Sequence, residues 1–377
     1  MVRAMRFLHT SDWHLGRSLH RADLRDAQAR FLDHLVETTR AERVDAVLVA
    51  GDVYDRAVPP VDAVALYDEV LVRLHETGAR VILISGNHDS ARRLGVNSGL
   101  IDAAGVYVRT RPGKLSEPIV LEDAHGPVAV YGVPYLEPAA EGARSHAAVL
   151  GTAVQRISAD AAGRRVARTV LMAHAWVAGG AGSDSERDIS VGGVGQVPVS
   201  LFHGFSYVAL GHLHGQQTLA GHMRYSGSPL PYSFSEARHK KGSWLVEVGG
   251  DGRAHAERVP APGYRRLTVV RGRIDDLLAS SEYTDFEDDF LSVTLTDTAR
   301  PEGAMDRLRK RFPHILTLEF KPDGVTADGR GYGARVKGRD DLAIAAEFIK
   351  HVRTAPATLG EHDLLTTAFE AVREEAC

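Results

Sequence analysis

Five short clusters of Asp, Asn and His stand out by residue type and because each follows a run of β-branched residues. They are Asp12 and His14 in SDWH, Asp52 and Asp55 in GDVYD, Asn87, His88 and Asp89 in GNHD, His174 in MAHA, and His212 and His214 in GHLH. A lone histidine among the chain's 18 is ordinarily a packed or surface residue, and a Gly-Asp pair is ordinarily a turn. Random turns do not collect these types at one strand end after another, so the set points to a metal centre. Two divalent cations about 3.5 to 4 Å apart grip the attacking and leaving oxygens of a phosphate ester and turn a bridging water into hydroxide near neutral pH. One intervening residue lets Asp12 and His14, and likewise His212 and His214, turn toward one ion at the frayed end of a strand. Carboxylate, amide and imidazole donors without thiolate favour manganese, iron or zinc over calcium or an all-oxygen magnesium cage.

Such clusters need a scaffold that presents strand ends, and the first two thirds of the chain alternate short β-branched runs with helical stretches in the manner of an α/β fold. Strands are expected at Met5 to Leu8, Asp45 to Ala50, Arg80 to Ile84, Val128 to Val133, Val170 to Ala173 and Ser206 to Leu210. Helices are expected near Arg25 to Arg40, Val61 to Thr77 and Arg144 to Ala161. Loops after strand carboxyl ends are where α/β folds place their chemistry. Ala178 to Pro198 is glycine-rich and aperiodic, a long loop beside the site, a lid, or a mere connector. PAPGYR at Pro260 to Arg265 closes the first domain after a hairpin-like segment. A small α+β unit follows, with strands at Arg266 to Val270, Phe290 to Leu295 and His314 to Phe320, a helix at Met305 to Phe312, and a linker at Thr326 to Gly333.

The chain has 377 residues and a formal net charge of -4, from 45 Lys+Arg against 49 Asp+Glu. That balance excludes a strongly basic nucleic-acid carrier but not a nuclease with a local basic track. Arg17, Arg21 and Arg25 after the first cluster, with Arg92 and Arg93 after the third, could form such a track at the mouth of a cleft. The one cysteine, Cys377, leaves no intrachain disulfide or zinc-thiolate cluster and suits a reducing compartment. The N-terminus lacks a signal-peptide core and no stretch reaches about 18 uninterrupted apolar residues, so a cytoplasmic protein with no membrane span is expected. Near the C-terminus, Leu342, Ala345, Phe348, Ile349 and Val352 form one apolar stripe and Leu364, Leu365, Ala368, Phe369 and Val372 another. These stripes could fold back on the small unit or grip a partner helix.

The ordered pattern D-x-H, G-D-x-x-D, G-N-H-D, H and G-H-x-H resembles the calcineurin-like metallophosphoesterases. HTSDWHLGRSLH, GDVYDR, SGNHDSARRL, SDSER, and YVALGHLHGQQ followed by RYSGSPLPYSFSE narrow the resemblance to the nuclease subunits that bacteria pair with an SbcC-type, SMC-family ATPase subunit. It covers essentially the whole chain. The resemblance implies an α/β fold, a metallophosphoesterase β-sandwich flanked by helices, with a small α+β capping domain and a C-terminal helix-loop-helix. The corresponding domains are 1–262, 263–333 and 334–377. One metal would be held by Asp12, His14, Asp52 and His214, and the second by Asp52, Asn87, His174 and His212, both most simply Mn2+. His88 would act as general acid beside the scissile phosphate, its pKa raised by a hydrogen bond to Asp89, which could also cap the following helix. Asp55 would fix a loop rather than bind metal.

The implied activity is 3'-5' double-strand exonuclease and single-strand or hairpin endonuclease action in DNA repair. Its partners would be DNA, contacted through Arg17, Arg21 and Arg92, and the ATPase, whose coiled-coil base the terminal helices would grip within a heterotetramer built on a homodimer. Two other readings are a free-standing enzyme for cyclic nucleotides or phosphomonoesters, which needs no small domain or terminal helices, and a DNA-end scaffold with a dead site. The intact ligand set speaks against the last, because buried carboxylates and imidazoles are costly to keep without a metal.

Overall fold

Runs such as AVLVA and RVILI are apolar on both sides of the pleat, which suits strands covered on both faces. The computed structural model describes residues 3–190, 195–323, 338–353 and 355–375, and the chain divides into two units, Met1–Tyr264 and Arg265–Cys377. Twelve strands of the first unit are described: β1 (Met5–Thr10), β2 (Ala46–Ala50), β3 (Arg80–Ile84), β4 (Val106–Arg109), β5 (Ile119–Asp123), β6 (Gly126–Val133), β7 (Arg168–His174), β8 (Tyr207–Gly211), β9 (Gln217–Ala220), β10 (Met223–Tyr225), β11 (Gly242–Val248) and β12 (Ala254–Pro260). They form two six-stranded sheets, ordered β12-β11-β1-β2-β3-β4 and β5-β6-β7-β8-β10-β9. β1 to β4 run parallel, as do β6, β7 and β8, so within each set the carboxyl ends lie along one edge.

Side-chain alternation divides these strands between three cores. Phe7, Ala46, Leu48, Ile82 and Ile84 pack against Val128, Val130, Val170, Met172 and Ala209, which joins the two sheets face to face. Val47, Val49, Val81 and Leu83 point the other way, under Phe31 and Leu35 of helix Arg25–Ala41 and Val70 and Leu74 of helix Val61–His75. On the far side Tyr131, Leu171, Val208 and Leu210 receive Leu150, Val154 and Ile157 of helix His146–Arg164, whose first turn is capped by Ser145 Oγ accepting from Ala148 N at 3.2 Å. The architecture is thus a β-sandwich flanked by helices. His9 ties the layers at mid-sandwich: its Nδ1 lies 2.9 Å from Tyr207 Oη, and burial pushes its pKa down to about 3.

The sequence reading placed the central strands and omitted β4, β5, β9 and β10. These are short or flanking strands with polar outer positions, where hydrophobic periodicity is faint. The hairpin-like segment before Pro260 is β11 and β12, and β11 pairs antiparallel with β1 beside the centre of its sheet.

In the second unit β13 (Leu267–Gly272), β14 (Phe290–Leu295) and β15 (Ile315–Phe320) form a parallel sheet. Ile274 and Leu277 of helix Ile274–Ala279 cover it together with Leu308 of helix Ala304–Arg309. The first of these helices is one turn and a half long and was not expected. The expected linker and the boundary at 334 lie outside the described residues. Helices Asp341–Arg353 and Leu359–Glu375 follow, joined by Arg353 donating twice to the Glu361 carboxylate at 2.7 Å. Phe348 is 55% exposed and Leu364 is 72% exposed, and none of the ten stripe residues is buried. Among the described residues no helix is long and apolar enough to cross a membrane.

Candidate metal centre

Each cluster leaves the carboxyl end of a parallel strand: Asp12 and His14 after β1, Asp52 after β2, Asn87 and His88 after β3, His174 at the end of β7, and His212 and His214 after β8. Both sheets therefore contribute. The turns that bring these side chains together are unusual, since Asp12, His14, Asp52 and His212 all adopt positive φ, at 52°, 45°, 49° and 104°. Left-handed backbone in non-glycine residues costs energy and persists only where surrounding bonds over-determine it. Here Asp12 N donates to Gly51 O at 2.9 Å and His14 N to Asp52 O at 3.0 Å, so the first two loops zip together. His212 N donates to Asp12 Oδ1 at 3.0 Å, which ties the β8 loop to the β1 loop across the two sheets, and His88 N donates to Asp52 Oδ1 at 2.8 Å, which ties the β3 loop to the β2 loop. The motif glycines make room for this crowding: a Cβ on Gly86 would collide with the Asp52 carboxylate, and one on Gly51, at φ 91°, with the His174 ring.

All seven expected ligands come together, and all but Asn87 are buried. His14 Nε2 and His214 Nε2 face each other at 3.0 Å. His174 Nε2 lies 2.9 Å from Asn87 Oδ1 and 3.5 Å from Asp52 Oδ2, while His212 Nδ1 lies 3.2 Å from Asn87 Oδ1. Ligand atoms of Asp12, His14 and His214 form one compact group and those of Asp12, Asp52 and His174 another. His14 Nδ1, Asn87 Nδ2 and His212 Nε2 are buried with no hydrogen-bond partner among the described residues. Buried polar atoms are normally satisfied, so buried imidazole and amide nitrogens left without a partner in a cluster of carboxylates and imidazoles fit divalent cations. Burial pushes Asp12 up to about 6 and holds His14 and His212 well below the ordinary histidine range. Burial alone would raise Asp52 and lower His174, but their mutual attraction wins: Asp52 lies well below the carboxylate range and His174 is raised to about 9.

Three expectations about the third cluster are corrected. Asp89 does not hold the His88 imidazole; its carboxylate accepts from the backbone N–H groups of Val53, Tyr54 and Gly86 at 3.1, 2.9 and 2.9 Å, fastening the second loop to the third. The cap of the short helix Ala91–Leu94 is Ser90, which accepts from Arg93 N. His88 Nδ1 instead sits 2.7 Å from the backbone carbonyl of Asp55, so this nitrogen must carry the proton and Nε2 is left free. Burial lowers the His88 pKa where a rise was expected. Burial, followed by the Asp52 charge, pushes Asp89 up to about 7. The Asp55 carboxylate is 3.8 Å from His14 Nδ1 and 3.7 Å from Arg17 Nε.

The arginines divide. Arg17 is half-buried, donates to Ser185 O at 2.9 Å and lies over the Tyr232 ring, whereas Arg21 and Arg92 are exposed. Arg25 is paired with Asp23 and Asp62 at 2.7 Å each, and Arg93 donates to Ala57 O, so neither presents an unengaged charge.

Sequence reasoning assigned no role to the residues behind His214. Ser185 Oγ lies 2.6 Å from His214 Nδ1 and also donates to Glu236 Oε1. Lys241 Nζ donates to the other Glu236 oxygen and, at 2.8 Å, to the His214 carbonyl. Burial would raise Glu236, yet His214 and Lys241 keep it ionised, well below the usual glutamate range. A buried carboxylate behind a ligand histidine fixes the ring and its tautomer. The strings SDSER and YSFSE contain Ser185 and Glu236, but single-sequence spacing could not pair loops 51 residues apart. The long loop is tied down at its base by Val197 N to Trp176 O at 2.8 Å, and Arg187 on it donates to Asn87 O at 3.3 Å.

Candidate ligands gathered at the strand ends of both sheets of a helix-flanked sandwich define a metallophosphoesterase. The chain belongs to the calcineurin-like phosphoesterase family, which it matches over residues 5–216, and its chemistry is phosphoester hydrolysis at a divalent-metal site. Residues 263–353 match a second family, that of the SbcD C-terminus, described as the Type 5 capsule protein repressor C-terminal domain. The two matches together support an SbcD-type protein. Among solved structures the chain is similar to the protein TT1561 of Thermus thermophilus, with 17% identity, TM-score 0.41, and coverage of 68% of this chain and 99% of that one. It is also similar to a dimetal phosphatase from Danio rerio, with 16% identity, TM-score 0.43, and coverage of 69% and 100%.

Proposed function

We propose that this chain is the nuclease subunit of an SbcC-type ATPase complex, a manganese-dependent enzyme that degrades double-stranded DNA ends 3'-5' and cuts single strands and hairpins. The observation that carries the reading is the pairing, in one chain, of the seven-residue centre with a C-terminal domain of the SbcD kind. A hydrolase for cyclic nucleotides or phosphomonoesters needs only the first.

Asp12, His14, Asp52 and His214 would hold one ion and Asp52, Asn87, His174 and His212 the other, with Asp52 shared. When bound, such ions supply Lewis-acid polarisation of the phosphate and a water of lowered pKa. The rest is done by the chain. The His88 Nδ1–H donated to Asp55 O fixes the ring, so that Nε2, once it has taken up a proton from solvent, is the atom that would give it to the departing sugar oxygen. Asp89 keeps the loops carrying Asp52 and Asn87 in register. Arg17, Arg21 and Arg92 would contact DNA phosphates, Arg17 also bracing the loop at Ser185.

Homodimerisation is supported by exposed apolar residues on and beside helix Val61–His75, where Val61 is 82% exposed and Val58, Val64 and Val72 join it. The exposed members of the terminal stripes, Phe348, Val352, Leu364 and Val372, support docking on a coiled coil, and the lone cysteine supports a cytoplasmic setting. Purified chain, assayed with manganese on blunt, hairpin and single-stranded DNA with and without the ATPase, should cut single strands alone and blunt ends with its partner. Turnover of cyclic nucleotides with no DNA cleavage under either condition would instead establish the free-standing phosphoesterase.

A further inference from the structure

Beside the metal centre lies a cavity of about 540 Å³ that the ligand set does not use. Its walls include Trp176, Gly182, Ser183, Arg187 and Asp188. Trp176 stands two residues beyond the ligand His174, and its ring centroid is 6.2 Å from that of His212. The indole is half-buried rather than enclosed, and its Nε1 donates to Gly180 O at 3.2 Å, which fixes the ring without covering it. Gly182 runs past the far edge of the indole, where a Cβ would make ordinary van der Waals contact at 3.6 Å. Opposite, Arg187 is exposed and donates to the backbone carbonyl of Asn87 at 3.3 Å, so its guanidinium is held next to the ligand Asn87 and His88. The acidic groups nearby are already engaged: Glu186 accepts from His214 N and Ser183 N at 2.7 Å, and Asp188 accepts from Ser190 N at 2.8 Å.

We infer that this cavity is a nucleobase subsite, in which the base next to the scissile phosphate stacks on Trp176 while Arg187 holds the phosphate of that nucleotide. The inference rests on the nuclease reading above and deepens it. A base reaches a side-chain platform inside a cavity only when it has left its own stack and pair, so the subsite selects unpaired nucleotides, as in single strands, hairpin loops and frayed ends. Stacking on an indole is available to every base, which makes the selection one of strandedness rather than of sequence.

The test uses the full chain with manganese and single-stranded oligonucleotides in which one tetrahydrofuran abasic site is moved along the strand. In the wild-type protein, an abasic site beside the cut should raise KM roughly 5- to 100-fold, the range expected for one base stacked on an aromatic side chain. Trp176→Ala should show the same loss on the intact oligonucleotide and no further loss with the abasic one, and Trp176→Phe should recover most of the sensitivity. Quenching of tryptophan fluorescence by oligo(dT) in EDTA gives a readout independent of turnover, and Trp176→Phe should remove most of it, since of the other two tryptophans Trp13 is fully buried and the half-buried Trp244 lies under the Arg224 guanidinium, outside the cavity. A Trp176→Ala protein that binds manganese normally and remains as sensitive to the abasic site as the wild type would overturn the subsite while leaving the nuclease reading intact. Hydrolysis of bis(p-nitrophenyl) phosphate with no cleavage of any oligonucleotide would overturn both.

Discussion

The metal centre and the terminal helix pair break the usual rule of burial in opposite directions. At the strand ends, carboxylates and imidazoles are buried: Asp12, Asp52, His174 and His212 are almost wholly enclosed, and three of these four carry left-handed backbone. On the helices Asp341–Arg353 and Leu359–Glu375, large apolar side chains stand in solvent. Buried charge is tolerated where something of opposite charge is bound, and exposed apolar surface where something apolar is bound. The proposed reading gives each exception an occupant, cations for the one and a protein for the other. They differ in how firmly the chain holds them. The centre is crossed by backbone hydrogen bonds from four loops, whereas the described links between the helices include the surface pair of Arg353 and Glu361.

That contrast can be broken at its strong end first. Asp52→Ala should strip both ions from the protein and abolish hydrolysis, because the proposed assignment gives this carboxylate to both ions, whereas Asn87→Ala should chiefly weaken one; metal analysis of the two purified variants separates them. Two ions retained in Asp52→Ala would show that the carboxylate is not shared. His88→Ala should keep its metal and lose roughly 10²- to 10⁴-fold in cleavage rate, the usual range for a group that transfers a proton. Loss of metal from that variant would make His88 a ligand.

Behind the ligands, Glu236→Gln should lower metal affinity about 10- to 100-fold, as measured by competition with a chelator, since it loosens the His214 ring without touching an ion. Unchanged affinity would mean that the fold alone orients His214. The smallest effect on the isolated chain is expected at the other region. Ile349→Glu combined with Phe369→Glu should leave thermal stability within about 0.5 kcal/mol per substitution, as for surface changes, and still abolish co-purification with the ATPase. Unfolding of that variant would show that the stripes are internal packing.

The centre was largely legible in the sequence because its ligands are local pairs or triplets at strand ends, where one residue of spacing already dictates a shared direction. Asp12 with His14 and His212 with His214 are the clearest cases. The partners of those ligands were not legible. Ser185, Glu236 and Lys241 meet His214 only through tertiary folding, and nothing in their spacing marks a charge that is buried rather than solvated. Asp89 shows the converse limit, since adjacency to His88 suggested a side-chain bond, while the carboxylate turns back to three amides. For the fold, the twofold and 3.6-residue periods marked central strands and long helices. They failed at β4, β5, β9 and β10, whose outer positions are polar because they lie at or near sheet margins.

Shared ownership of the centre by two sheets also governs when the chain can become active. Its ligands run from residue 12 to residue 214, and β1, which carries the first of them, gains its second neighbour only when β11 arrives at residues 242 to 248. Contacts of such long sequence separation form late, after the loops between them have been closed. A polypeptide still on the ribosome therefore has the Asp12 and Asp52 loops without the histidines that oppose them. Hydrolytic power at the proposed centre would then wait on the synthesis of residues 212 to 248.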